Sequence, residues 1–153
     1  MPNLEIRRED PAAADVRALI DELDQYLIGL YDPDENHLLE IESLRGPDVS
    51  FFVARNDGAA LACGALRVIA PGVGEVKRIY ASSRARGQGL GRRILAALEN
   101  HARGLGLREM KLETGDRQPE ALALFRAFGF QPCAPFGDYQ QGVTSLFFVK
   151  PVR

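Results

Sequence analysis

The chain predicts a single α/β domain of the α+β kind: a mixed, mostly antiparallel sheet with one central parallel β-α-β pair, flanked by helices. Three observations carry this. The runs 50–55, 59–69 and 74–81 are apolar and β-prone, and Asn56-Asp57-Gly58 and Pro71-Gly72 break them as antiparallel hairpins require. A helical period over 89–104 then stands between run 74–81 and another β-prone run at 109–114, and a helical crossover of that length makes its two strands parallel. Finally, 153 residues with 46% hydrophobic and 26% charged side chains suit one soluble core without staples.

Each element has its own signal. Leu4 to Arg7 alternates as a short strand, and Pro11 stands where a helix can begin. Val16, Leu19, Ile20, Leu23, Leu27 and Leu30 follow with the spacing of one helical face. Residues 31–46 are polar with a weak stripe at Leu38, Leu39 and Ile41, which predicts a loop and a short helix. After the three-stranded meander, Leu90, Ile94, Ala97, Leu98, His101 and Leu105 mark an amphipathic helix that stops near Gly104 or Gly106. Pro119 suits a first helical turn, Ala121, Leu124, Phe125 and Phe128 give that helix an apolar face, and Gly129 ends it. A strand at 144–150 closes the chain. No repeat or low-complexity tract divides it, so residues 1–153 are read as one domain.

Composition bounds the function. The first residues have no apolar run behind their charges and no later segment is long enough to span a bilayer, so a cytoplasmic protein without a membrane partner is expected. A net charge of −2 gives no general attraction to nucleic acid. Cys63 and Cys133 lie far apart in apolar stretches and read as free buried thiols. His101 falls on the apolar side of its helix and reads as structural; His37 sits in the polar segment with Tyr31, Asp32, Asp34 and Glu35. No Cys/His/Asp spacing points to a metal, and none is expected.

The charge is unevenly spread. Between Glu75 and Glu99 there is no acid, while Lys77, Arg78, Arg84, Arg86, Arg92 and Arg93 fall in that window around Arg86-Gly87-Gln88-Gly89-Leu90-Gly91-Arg92. Alternate glycines let a bulky anion approach the backbone, and the helix beginning there turns free N–H groups and its positive dipole end to the same point. That is a pyrophosphate cradle. It is not a dinucleotide fingerprint, because the last glycine position of G-x-G-x-x-G holds Arg92, and it is no P-loop, because Gly-Lys-Ser/Thr is missing.

The pattern R-x-x-G-x-G at Arg86, Gly89 and Gly91 resembles the acetyl-coenzyme A motif of the GNAT N-acetyltransferase superfamily. The segment Gln118 to Phe130 is similar to that family's downstream N-x-x-A-x-x-x-Y-x-x-x-G-F, with Ala121, Gly129 and Phe130 matching. The resemblance covers residues 49–150 and implies the acyl-CoA N-acyltransferase fold and acetyl-CoA as acyl donor. By that resemblance the pyrophosphate lies on the amides of 86–92, with Arg86, Gly87, Gln88, Gly89, Gly91 and Arg92 around it and Arg84 nearby. A backbone N–H near Ile79 or Ala81 polarises the carbonyl, and Gln118, in place of the usual asparagine, can bond the pantetheine arm or the adjacent strand. Phe125 departs from the pattern. It replaces the tyrosine that many relatives carry, so it packs at the thiol end without a proton to give.

Acetyl transfer to an amine needs a neutral nucleophile and something to take its proton. Glu75, at the place where several relatives carry their base, is the first candidate; Glu113, ending the parallel strand beside the cleft, is the second. Tyr80 and Tyr139 are the phenols left to approach the site, Tyr139 on the loop where the family makes acceptor contacts. The reading is an enzyme that acetylates a primary amine of a small or amino-acid-like molecule by direct attack in a ternary complex. An acyl-CoA-binding regulatory module and a protein or peptide acetyltransferase are the alternatives, the latter kept open by Asp32, Asp34, Glu35, Glu40 and Glu42. The oligomeric state is open, a homodimer included.

Overall fold

In the computed structural model the described residues are 3–31, 41–137, 139 and 144–153. Seven strands form one sheet: β1 (Leu4–Arg8), β2 (Val49–Asn56), β3 (Ala59–Ala70), β4 (Val73–Ala81), β5 (Glu109–Gly115), β6 (Gln131–Pro132) and β7 (Ser145–Pro151), in the order β1-β2-β3-β4-β5-β7-β6. All neighbours are antiparallel except β4 and β5. The helices are α1 (Ala14–Leu30), α2 (Leu90–Gly104) and α3 (Pro119–Phe128). Among the described residues no helix is long and apolar enough to cross a membrane.

The meander and the β-α-β unit thus form where the turn signals and periods put them. Two details differ. Helix α1 begins at Ala14, three residues after Pro11, because the Asp10 carboxylate takes the Ala12 N–H at 2.9 Å and Pro11 sits inside that turn. The short strand β6 was not anticipated; it pairs Gln131 with Val149 and Pro132 with Phe148. Within the polar segment, Ile41–Arg45 forms a 3-10 helix with Leu44 buried, while Leu38, Leu39 and His37 lie outside the described residues.

Alternation on the sheet separates two cores. On one face Leu66, Val76, Met110, Leu112 and Phe148 pack against α2 (Leu90, Ile94, Leu95, Leu98) and α3 (Phe125). On the other, Val49, Phe51, Val53, Cys63 and Ala65 receive Val16, Leu19, Ile20 and Leu23 of α1. At about 1.5–3 kcal/mol for each large apolar side chain buried, these faces fix which side of the sheet each helix takes.

The parallel pair positions the site. Strands β4 and β5 are in register only at Val73↔Glu109, Gly74↔Met110 and Glu75↔Lys111, and beyond that they part. In the same stretch β4 carries a bulge against β3, where the pairing jumps from Ala65↔Lys77 to Cys63↔Tyr80. Arg78 in the bulge has a left-handed φ of 60°. Its guanidinium pairs with Asp24 of α1, and the Cys63 thiol donates to its carbonyl at 3.3 Å. Both contacts hold the bend that opens the sheet.

Candidate active site

Two cavities adjoin at the split, with Leu23, Ile79, Gln118 and Ala121 lining both. The larger, of about 380 Å³, runs over residues 85–92 at the start of α2. The smaller, of about 110 Å³, lies between the parted ends of β4 and β5 and is walled by Val76, Lys77, Leu112, Glu113, Phe125 and Tyr31.

The larger cavity contains what an anion needs. Gly89 precedes α2 in the left-handed region at φ 70°, and Gly87 has φ 77°, conformations that an L side chain adopts only with strain. The first turn of α2 carries no acid, so its dipole is uncompensated there. Arg86 and Arg92 line the cavity; Arg86 also lies over the Tyr26 ring at 5.9 Å and 3.8 Å from Glu120, and Arg92 over Phe128 at 5.9 Å. Arg84 faces elsewhere, its guanidinium bonded to Ser82 Oγ and the Ala60 carbonyl. Gly91 lines the cavity too and has a second reason to be glycine: a Cβ there would stand 2.9 Å from Leu124, so it admits α3 against α2.

The remaining predicted contacts fall along this channel. Ile79 and Ala81 of β4 line it, Ile79 in both cavities and Ala81 in the larger. Gln118 is the residue before α3, yet its side chain makes no cap and it borders both cavities. Phe125 is buried, edge-on to Phe130 at 6.0 Å, and walls the smaller cavity. A wide basic end beside a narrow one of mixed lining suits acetyl-CoA, with its polyanionic head and thin thioester arm.

On the α1 face of β4, Glu75 and Lys77 meet a group far away in sequence, Tyr139. Tyr139 donates its hydroxyl to Glu75 Oε2 at 2.6 Å, and the Lys77 ammonium donates to both, at 2.6 Å to Tyr139 and 3.2 Å to Glu75. Burial, then the bond to Glu75 and the charges of Glu75 and Glu113, push the Tyr139 phenol well above the ordinary phenol range. Glu75 is only 4% exposed and stands behind Lys77 rather than on the cavity wall. Glu113 is on the wall and accepts from Ser145 Oγ at 2.8 Å. Lys77 was noticed in the sequence only as part of a basic window; its strand position two residues after Glu75 was the available signal.

The other sequence candidates lie apart. Tyr80 lines the larger cavity and donates to Glu22 Oε1 at 3.0 Å, a bond that with burial raises its phenol. Burial pushes the Glu22 carboxyl up, but bonds from Ser82, Tyr80 and the Ser83 amide together hold it below the usual carboxylate range. His101 meets Ser50 Oγ at 2.8 Å, and burial lowers its titration. Burial drives the Cys63 thiol up to about 12, as suits an inert core residue. Of the acids suggesting a peptide groove, Asp32, Asp34, Glu35 and Glu40 lie outside the described residues, and Glu42 is paired with Arg45.

Known proteins resemble this chain in sequence and in fold. Residues 16–130 match the model of the Acetyltransferase (GNAT) family. An IAA acetyltransferase of Azospirillum brasilense is 45% identical over 99% of this chain and 100% of its own. The structure of a Klebsiella pneumoniae protein assigned as an acyl-CoA N-acyltransferase superposes with a TM-score of 0.83 at 35% identity, covering 98% of each chain. The fold is shared more distantly with the PaiA N-acetyltransferase of Thermoplasma acidophilum in complex with coenzyme A, at TM-score 0.72 and 18% identity over 97% of this chain and 98% of that one.

Proposed function

The chain belongs to the Acetyltransferase (GNAT) family and is an acyltransferase by class, and from that premise we propose that it moves an acetyl group from acetyl-CoA to a primary amine of a small or amino-acid-like acceptor, both substrates being bound together. The observation that carries this reading is a basic, glycine-edged cavity that shares Leu23, Ile79, Gln118 and Ala121 with a small cavity of mixed lining inside a split sheet. Bound acetyl-CoA supplies an activated acyl thioester. The amides of residues 86–92, with Arg86 and Arg92, hold its pyrophosphate; Ile79, Ala81 and Gln118 border its arm, and Phe125 packs beside its thiol end. The narrowness of the inner cavity favours a small acceptor over a folded protein.

For the amine to attack it must lose a proton. Glu75, behind the cavity wall, takes that proton through Tyr139 or a water. Glu113, on the wall itself, is the second carboxylate within reach. Incubating the protein with acetyl-CoA and a panel of small amines while following free thiol tests the activity; thiol release that never exceeds the amine-free rate would sink it. With an accepted amine in hand, Glu75→Gln should lower turnover by ~10²–10⁴-fold with little change in coenzyme affinity. Full activity in Glu75→Gln with a loss of that size in Glu113→Gln transfers the role.

A further inference from the structure

Four tyrosines border or approach the two cavities, and their protons are differently engaged. Tyr80 gives its proton to Glu22 and Tyr139 to Glu75, so each is committed to a carboxylate. Tyr26 borders only the larger cavity. Tyr31, the residue after α1, is buried at 7% exposure and walls the smaller cavity together with Phe125 and Gln118. Its oxygen accepts the Arg117 N–H at 2.8 Å, and the Arg117 guanidinium lies over its ring at 5.7 Å, held there by a 2.7 Å bond to the Leu30 carbonyl. Among the described residues no protein acceptor takes the Tyr31 proton. The chain also makes room for this ring: any side chain at Gly115, the last residue of β5, would collide with the Tyr31 hydroxyl.

We infer that Tyr31 is the proton donor to the departing thiol, supplying from the end of α1 the hydroxyl that α3 lacks at Phe125. This rests on the acetyl-transfer reading above. Tyr31 gives its proton to the sulfur on which the electron pair of the breaking carbon–sulfur bond settles. The Arg117 N–H and guanidinium stabilise the negative charge left on the phenol oxygen. The proton that the amine nitrogen sheds on forming the amide bond returns to that oxygen by way of the carboxylate and water, so the reaction is neutral overall. Besides Arg117, the charged or titratable groups around Tyr31 are Tyr26 on the preceding helix α1 and Lys77, Arg78 and Glu113 across the cavity.

The test uses Tyr31→Phe and the site-specific replacement Tyr31→3-fluorotyrosine, which keeps size and hydrogen bonding but makes the hydroxyl more acidic. Expected for Tyr31→Phe is a fall in kcat of ~10²-fold or more, an acetyl-CoA KM near wild type, and loss of the basic limb of kcat against pH. In the fluorotyrosine protein that limb moves to lower pH, and the 19F resonance shifts on adding coenzyme A but not adenosine 3′,5′-bisphosphate, which lacks the thiol arm. Unchanged kcat in Tyr31→Phe, a basic limb that stays in place on fluorination, or a 19F signal blind to coenzyme A would each overturn the assignment. If Tyr31→Phe fails to fold, the fluorotyrosine protein decides alone. A wild-type protein that releases no thiol with any amine refutes acetyl transfer instead, so the two failures are distinguishable.

Discussion

Gly115 and Tyr31 illustrate how one residue's identity is set by another far along the chain. Gly115 ends β5 with ordinary strand geometry, so its backbone does not demand glycine; the ring lying on it does. Replacing Gly115 by Ala should therefore destabilise the fold by about 1–3 kcal/mol, the cost of overpacking a closed contact. Urea midpoints in a double-mutant cycle with Tyr31→Ala check the cause, because once the ring is gone the alanine has nothing to strike. A penalty of the same size in both backgrounds would place the origin in the strand itself. Gly89 is the opposite case. Nothing lies within 4 Å of where its Cβ would be, and its left-handed φ alone makes a side chain costly.

At the scale of elements, Arg55 of β2 does the joining at the start of the chain. Its guanidinium takes Glu9, just after β1, at 2.7 Å and Asp15, in the first turn of α1, at 2.6 Å, so one side chain pins the β1–α1 connection to the sheet. The bond to Arg55 holds the Glu9 carboxyl below its usual range, against the opposing effect of burial, and does the same for Asp15. A carboxyl depressed in the folded state stabilises above its unfolded pKa, about 4 for these groups, and that share is lost as pH falls through the folded value. Wild type should thus exceed Glu9→Gln in melting temperature at pH 7, and the gap should close as pH is lowered from about 5 to 3. A gap that persists unchanged at pH 3 would show that Glu9 acts through packing.

What the sequence discloses at this scale follows from how local each cause is. The loop at 86–91 and the strand and helix around it are encoded by adjacent residues, so the glycines and arginines announce both the turn and its basic, cavity-lining end. The packing role of Gly91 was not legible because the neighbour it admits, Leu124, lies on another helix. Tyr31 escaped notice as a cavity residue for the same reason: the amide that holds its hydroxyl is 86 positions away. Likewise the joining of Glu75, Lys77 and Tyr139 spans 64 positions of the chain and is a matter of tertiary packing. Pro11 misled because the Asp10 side chain competes locally with helix formation.

For the whole molecule, the split between β4 and β5 means that a ligand in the channel touches both parts of the sheet and three helices at once. Leu23 comes from α1, Ile79 from β4, Leu112 from β5, the 86–92 amides from the start of α2, and Ala121 and Phe125 from α3. A ligand bound this way stabilises the folded chain as a unit, by RT ln(1 + [L]/Kd), about 2.7 kcal/mol at a hundred times Kd. For a domain near 150 residues each kcal/mol raises the melting temperature by roughly 2–4 °C, so coenzyme A at that excess should raise it by roughly 5–11 °C. The shift reports binding without chemistry, which lets it sort the site residues. Glu75→Gln should keep it nearly whole, since Glu75 stands behind the cavity wall. Gly89→Val should lose most of it even where the variant still melts cooperatively, because the start of α2 can then no longer present its amides to the anion. Arg86→Ala with Arg92→Ala should reduce it, and by more at low salt than at high, since those charges are screened beyond about 10 Å at 0.1 M. A full shift in Gly89→Val would move the pyrophosphate away from the start of α2 and remove the structural basis for the channel described above.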